Sequence, residues 1–213
     1  MISVASKELS WKFAEDFVVE RDYIVAARAQ SAESGVDAIS PATGAHIAAI
    51  AATTRASKII EIGTGVGVSG LWLFEGAPTA ELTSIDTEID HQLSAKAAFA
   101  SAGIASSRAR LIAGRALDVL PRMNESSYDI VLVDADPAHV IEYVEHGLRM
   151  IRAGGSVVVP HALWRGRVAD PAQRDETVTE FRTLLKAIAA SDAVISSLST
   201  VGDGVLQLVK RAD

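Results

Sequence analysis

Between residues 58 and 159, short apolar runs alternate with stretches of helical spacing, and that alternation limits the folds open to the chain. Residues 58–62 form a β-branched run that ends in Gly63, and 68–74 read as the helix after it. A strand at 81–85 closes on Asp86, followed by a helix at 89–101, a strand at 110–112 and a strand at 128–133. Val140, Val144, Leu148 and Ile151 then fall at helical spacing, and Gly154-Gly155 turns the chain into a fifth strand at 156–159. Strands that are apolar throughout belong to a parallel sheet covered on both faces. A last helix is expected from Asp170-Pro171 through Val178, Phe181, Leu185 and Ile188. After it, runs at 193–199 and 205–210 are joined through Gly202-Asp203-Gly204, a short Gly/Asp turn that favours a hairpin. The expected fold is therefore α/β: a doubly wound, mostly parallel seven-stranded sheet that ends in an antiparallel β-hairpin. An ordinary dinucleotide fold closes with a parallel sixth strand instead.

The 213 residues suit one domain, with 1–55 supplying helices that pack on a core of 56–213. Residues 6–34 read as a single helix, because Leu9, Phe13, Phe17 and Ile24 share one narrow arc. A second helix opens at Ser40-Pro41, with Ser40 as its cap and Pro41 at the first helical position. A net charge of −7 gives no general electrostatic reason to hold nucleic acid or an anionic membrane. The absence of Cys excludes disulfides, thiolate nucleophiles and Cys-ligated metal sites. No apolar run reaches the roughly 18 residues of a membrane helix, and the first ten residues lack a signal-peptide layout. A cytoplasmic protein is expected.

Glu61-Ile62-Gly63-Thr64-Gly65-Val66-Gly67 joins the first strand to its helix. Glycines there let the backbone approach a ligand and turn amide N–H groups toward it at a helix N-terminus. Residues 65–70 match G-x-G-x-x-G, which raises a nicotinamide cofactor. In that fingerprint, however, the first glycine comes directly off the strand, and counted from Gly63 the third falls on Val68. Glu61 would also repel a pyrophosphate, whereas it suits the amino group of a methionine moiety. Asp86 ends the second strand, where an acid accepts hydrogen bonds from ribose hydroxyls. It is equally placed to cap the next helix. Loop, Glu61 and Asp86 together point to S-adenosylmethionine.

From about Gly35 onward the chain resembles the small O-methyltransferases typified by catechol and caffeoyl-CoA O-methyltransferases, in a bacterial, mycobacterial-like branch. The resemblance rests on an ordered set: Ser40-Pro41 with Gly44; Glu61-Ile62-Gly63-Thr64 with Ser69; Asp86; Gly114 with Ala116-Leu117; Asp134-Ala135-Asp136; Gly154-Gly155 with Leu163-Trp164 and Gly166; and Gly202-Asp203-Gly204. It implies a class I, Rossmann-like methyltransferase that works on a small-molecule acceptor as a homodimer. For the cofactor it implies that Ile39 lines the methionine end and that Glu61, Gly63 and Thr64 hold the amino-acid part. Ser69 would bond the carboxylate, Asp86 the ribose and the Ala116 backbone the adenine, with Asp134 beside the sulfonium.

Departures from the family pattern bear on mechanism. Members that use a divalent cation hold it with the first Asp of Asp-Ala-Asp and an Asp-Asn pair ending the fifth strand. Here Asp134 remains, but the pair is Pro160-His161, and Pro137 stands in place of the usual Lys. Arg115 likewise replaces a small or acidic residue. Hard cations want several oxygen ligands. No resident metal is therefore expected, although Asp134, Asp136 and His161 are the residues that would hold a transition metal if one bound. A phenol near pKa ~10 needs a metal or a base to lose its proton at neutral pH. His161 is the candidate base, and His139 reads as a surface residue. Arg165 and Arg167 either contact an acidic acceptor or are exposed arginines near Asp170. Two alternatives stay open: a non-catalytic S-adenosylmethionine-binding protein and a nicotinamide-dependent oxidoreductase.

Overall fold

The computed structural model describes residues 4–212. In chain order the elements are α1 (Val4–Asp16), α2 (Asp22–Glu33), α3 (Pro41–Thr54), β1 (Lys58–Ile62), α4 (Val68–Gly76), β2 (Glu81–Asp86), α5 (Ile89–Ser101), β3 (Ala109–Ala113) and α6 (Ala116–Val119). There follow β4 (Tyr128–Val133), α7 (Val140–Met150), β5 (Ile151–Pro160), α8 (Glu176–Ala189), β6 (Val194–Ser199) and β7 (Val205–Lys210). Among the described residues seven strands form one sheet in the order β3-β2-β1-β4-β5-β7-β6. β7 runs antiparallel to both β5 and β6, and the other pairings are parallel. The expected doubly wound sheet with a terminal hairpin is what the chain forms.

Side-chain alternation along the central strands explains why both faces are covered. Ile59, Ile130, Leu132 and Val158 pack with α2, α3, α4 and α5 on one face. Ile60, Ile62, Val131, Val133, Val157 and Val159 pack with α6, α7 and α8 on the other. Successive residues of a strand point to opposite faces, so a strand buried on both sides must be apolar at every position. Asp129 at the start of β4 is one of the polar exceptions, and it is fully engaged. Its carboxylate accepts from Ser57 N, Ser57 Oγ, Lys58 N and Arg152 Nε at 2.6–2.9 Å, which pins β4 beside β1.

Three expectations about elements need correction. The first helix is two: the chain leaves α1 after Asp16 and restarts at Asp22. Glu15 has a long-range task that a continuous helix would not serve, accepting from Ser40 Oγ and Ala42 N at the start of α3. Glu20, in the break, takes a two-pronged bond from Arg28. The last helix begins not at Asp170 but at Glu176, capped by Asp175 accepting from Val178 N. Arg182 holds the intervening carbonyls of Val168, Asp170 and Gln173, keeping that segment as turns. Finally, Gly154-Gly155 lies inside β5, where the register against β4 shifts between Tyr128 and Ile130. The Ser40 cap of α3 is as expected, accepting from Thr43 N.

Candidate functional site

The parallel strands end together on one side of the sheet, with Gly63 after β1, Asp134 after β4 and His161 after β5. Strand order reverses between β1 and β4, the place where open α/β sheets bind ligands. Here the two strand ends touch. Gly63 has φ +92°, and a Cβ on it would lie 1.9 Å from the Asp134 carbonyl oxygen. Only glycine allows that approach, and Asp134 N reaches back to Ile62 O at 2.8 Å.

Beneath the glycine loop Glu61 is fully buried. Its oxygens accept from Ser69 Oγ at 2.6 Å and Ser84 Oγ at 2.5 Å. With Ser84 donating to Glu61, Thr64 Oγ1 donates to Ser84 at 2.6 Å. Burial pushes the Glu61 carboxyl up to about 8, against the pull of the two hydroxyls and with further push from Asp134 and Asp86. Asp86 braces the loop from the end of β2, accepting from Gly65 N and Glu88 N, both at 2.9 Å. It does not cap α5, whose N-cap is Glu88. Ala116 opens α6 just past Gly114, whose N–H bonds to Asp86 O.

Two clefts meet at this end of the sheet. The narrower, about 50 Å³, is lined by Ile39, Gly63, Thr64, Ser69 and Asp134 among others. The wider, about 180 Å³, is lined by Asp134, Asp136, Pro160, His161, Trp164, Phe181 and Asp203 among others. Asp37 and Asp134 line both. Of the residues singled out in the sequence, Ile39, Gly63, Thr64, Ser69 and Asp134 are thus brought to one cleft. Glu61 lies behind it through Ser69, while Asp86 and Ala116 stand beyond the glycine loop.

His161 adopts a left-handed conformation, φ 57°, as do Trp164 and Arg165 in the loop after it. Such backbone is costly for a non-glycine residue and gathers at functional sites. Its Nε2 is buried with no hydrogen-bond partner and lies 3.8 Å from Asp134 Oδ1. Its Nδ1 lies 3.5 Å from Asp203 Oδ2. Burial lifts the Asp134 carboxyl to about 6, with His161 opposing and Asp37 adding to the rise. Trp164 stacks on Phe181 at 5.8 Å, giving the wider cleft an aromatic wall.

Of the three candidate metal residues, Asp134 and His161 lie 3.8 Å apart. Asp136 is exposed and its carboxylate accepts from Ala138 N in the turn after β4, while Pro160 brings no side-chain donor. Among the described residues no group of three or more His, Asp and Glu side chains is arranged to hold a metal ion. The arginines are already engaged: Arg165 pairs with Asp37 and Arg167 with Asp175. His139 lies beside Glu142, away from the cleft lining. Asp37 and Asp203 were not among the sequence candidates. Asp203 sat in view between two glycines, but only the direction of β7 shows which end of the sheet its turn occupies.

Comparison with known proteins places these features in a group. The O-methyltransferase family model matches residues 16–212. A candidate O-methyltransferase of Mycobacterium marinum is 44% identical over 204 residues, spanning 95% of this chain and 91% of that protein. A Mycobacterium tuberculosis counterpart is 42% identical over the same shares. Among solved structures, a Corynebacterium glutamicum protein matches with a TM-score of 0.89 at 29% identity, covering 98% of both chains. The O-methyltransferase TomG of Streptomyces achromogenes, which acts in tomaymycin synthesis and was crystallised with S-adenosylmethionine, matches at 0.82 and 29% identity over 96% of both.

Proposed function

The chain belongs to the O-methyltransferase family, and from that premise we propose that it transfers a methyl group from S-adenosylmethionine to a phenolic or catechol-like hydroxyl of a small molecule. The observation that carries the reading is Asp134, which lines both clefts at the strand crossing and so stands between a cofactor side and an acceptor side. The donor set suits that cofactor. Glu61 is a buried carboxyl near Asp134 and Asp86 whose ionised form has no cation beside it, and a ligand with an ammonium and a sulfonium would favour that ionised form. A pyrophosphate would add anions to the same place, which disfavours a nicotinamide cofactor.

When bound, S-adenosylmethionine supplies a methyl group on a positively charged sulfur. In this reading Ile39 lines the methionine end, and Gly63, Thr64 and Ser69 bind the amino-acid part, with Glu61 acting through Ser69. Asp86 would take the ribose, the Ala116 backbone would meet the adenine, and Asp134 would stand beside the sulfonium. Transfer from sulfur to oxygen is an in-line displacement, so holding the two reactants aligned and dry is most of the work. His161 Nε2, buried and unpartnered beside Asp134, accepts the acceptor's proton. No step is assigned to a metal: the Asp136 carboxylate is engaged with Ala138 N, and Pro160 brings no side-chain donor.

The wider cleft also restricts the acceptor. At about 180 Å³ it suits a single-ring molecule lying against Trp164 and Phe181. Asp37, Asp134, Asp136 and Asp203 line it against one Arg165, itself paired to Asp37, and His161. Neutral or amine-bearing phenols fit this balance; carboxylates and coenzyme A thioesters do not. The non-catalytic alternative has the same cofactor side and differs only in turnover. Calorimetry with S-adenosylhomocysteine and with NAD, followed by a labelled-methyl screen across phenolic amines and phenolic acids, tests the reading. Binding of NAD alone, or turnover of phenolic acids in preference to amines, would contradict it.

A further inference from the structure

The geometry points to Asp203 as a positioning residue that decides which ring nitrogen of His161 carries the proton, an inference that rests on the base role proposed above. Asp203 comes from the turn between β6 and β7. Because β7 runs antiparallel to β5, pairing Val205 with Pro160, that turn returns to the end of the sheet where β5 delivers His161. The two segments are sewn together: Ala162 N donates to Gly204 O and Leu163 N to Asp203 O. Asp203 Oδ1 accepts from Arg165 N at 2.5 Å, which fixes the carboxylate and leaves Oδ2 facing His161 Nδ1 at 3.5 Å.

A neutral imidazole has one N–H and one lone pair. With the proton on Nδ1, the N–H meets the Asp203 carboxylate and Nε2 offers its lone pair to the cleft. With the proton on Nε2, two lone pairs face each other across 3.5 Å and the site has no base. Asp134 competes less for an Nε2 proton because it is farther, at 3.8 Å. This is the logic by which a carboxylate holds a catalytic histidine in its working tautomer.

The test uses the full chain labelled with 15N-histidine and the variant Asp203→Asn, whose amide oxygen still accepts from Arg165 N while its NH2 faces Nδ1. In the unmodified protein the His161 signals should show Nδ1–H, and in Asp203→Asn they should shift to Nε2–H. Turnover of an unactivated phenol should then fall about a hundredfold or more through kcat, the usual size of a base contribution, with KM within about threefold. On a nitrophenol, which ionises near neutral pH unaided, the same variant should lose less than about tenfold, because no base is needed. Nε2–H in the unmodified protein, or equal losses on both phenols, would overturn the assignment. If the protein turns over no phenol, the methyl-transfer reading has failed, and the NMR result still decides the role of Asp203.

Discussion

At Glu61 the chain buries a carboxyl whose bonding partners among the described residues are two hydroxyls, and the consequence can be measured without knowing the acceptor. Its folded-state value of about 8 lies above the ordinary 4.5. A raised carboxyl keeps its proton in the folded state after the unfolded chain has lost it. Its stability contribution is therefore complete below about 4.5 and drains away as pH rises toward 8. Denaturant titrations from pH 5 to 9 should show stability falling across that window, and Glu61→Gln should flatten the fall. A slope unchanged in Glu61→Gln would mean that another group is responsible. Asp86 gives a second test at this scale. Loss of a charge-assisted hydrogen bond costs about 1.5–3 kcal/mol, so Asp86→Ala should weaken S-adenosylhomocysteine at least about tenfold by calorimetry. Because Asp86 also braces Gly65 N and Glu88 N, the variant's fold is to be verified by circular dichroism. A folded variant with unaltered affinity would remove Asp86 from the ribose.

Elements whose form is set by local pattern were legible in the sequence, and those set by distant partners were not. The central strands could be read because they are largely apolar on both faces, and the hairpin because Gly202-Asp203-Gly204 permits one tight turn. The glycine loop was readable as a close approach, though not that its neighbour would be the Asp134 carbonyl. By contrast, the end of α1 depends on Glu15 reaching α3 and Glu20 reaching Arg28, contacts that helical periodicity does not register. Asp170-Pro171 carries a good helix-start signal that Arg182 overrides from a turn of α8, by binding the carbonyls a helix would use. The single apolar arc expected over 6–34 does not exist as such, because the helix breaks after Asp16. Leu9, Phe13 and Phe17 are 70%, 74% and 76% exposed, and only Ile24 is in the core. That stripe, with Trp11 beside it, and Ile195 and Leu198 on the outermost strand are apolar surface without cover among the described residues. A second copy of the chain is the cover proposed here, as C2 dimers are the commonest soluble assemblies. Light scattering should give about twice 22.4 kDa, and Leu9→Asp with Phe13→Asp should return it to one copy. A single-copy mass across a micromolar concentration series would contradict the dimer.

Taken as a whole, the molecule is an acidic chain, net −7, with Asp37, Asp134, Asp136 and Asp203 gathered at one end of the sheet. No described helix is long and apolar enough to cross a membrane. On the proposed reading, the charge balance favours a cationic cofactor on one side of Asp134 and an uncharged or amine-bearing acceptor on the other, with His161 rather than a metal as the proposed activating group. The most direct measurement is transfer of labelled methyl from S-adenosylmethionine to a panel of single-ring phenolic amines, run with EDTA present, for the unmodified chain and His161→Ala. Transfer should persist in EDTA and fall at least about a hundredfold in the variant, the size expected for loss of a general base. Transfer that EDTA abolishes and Mg²⁺ restores, or that His161→Ala leaves intact, would contradict the account.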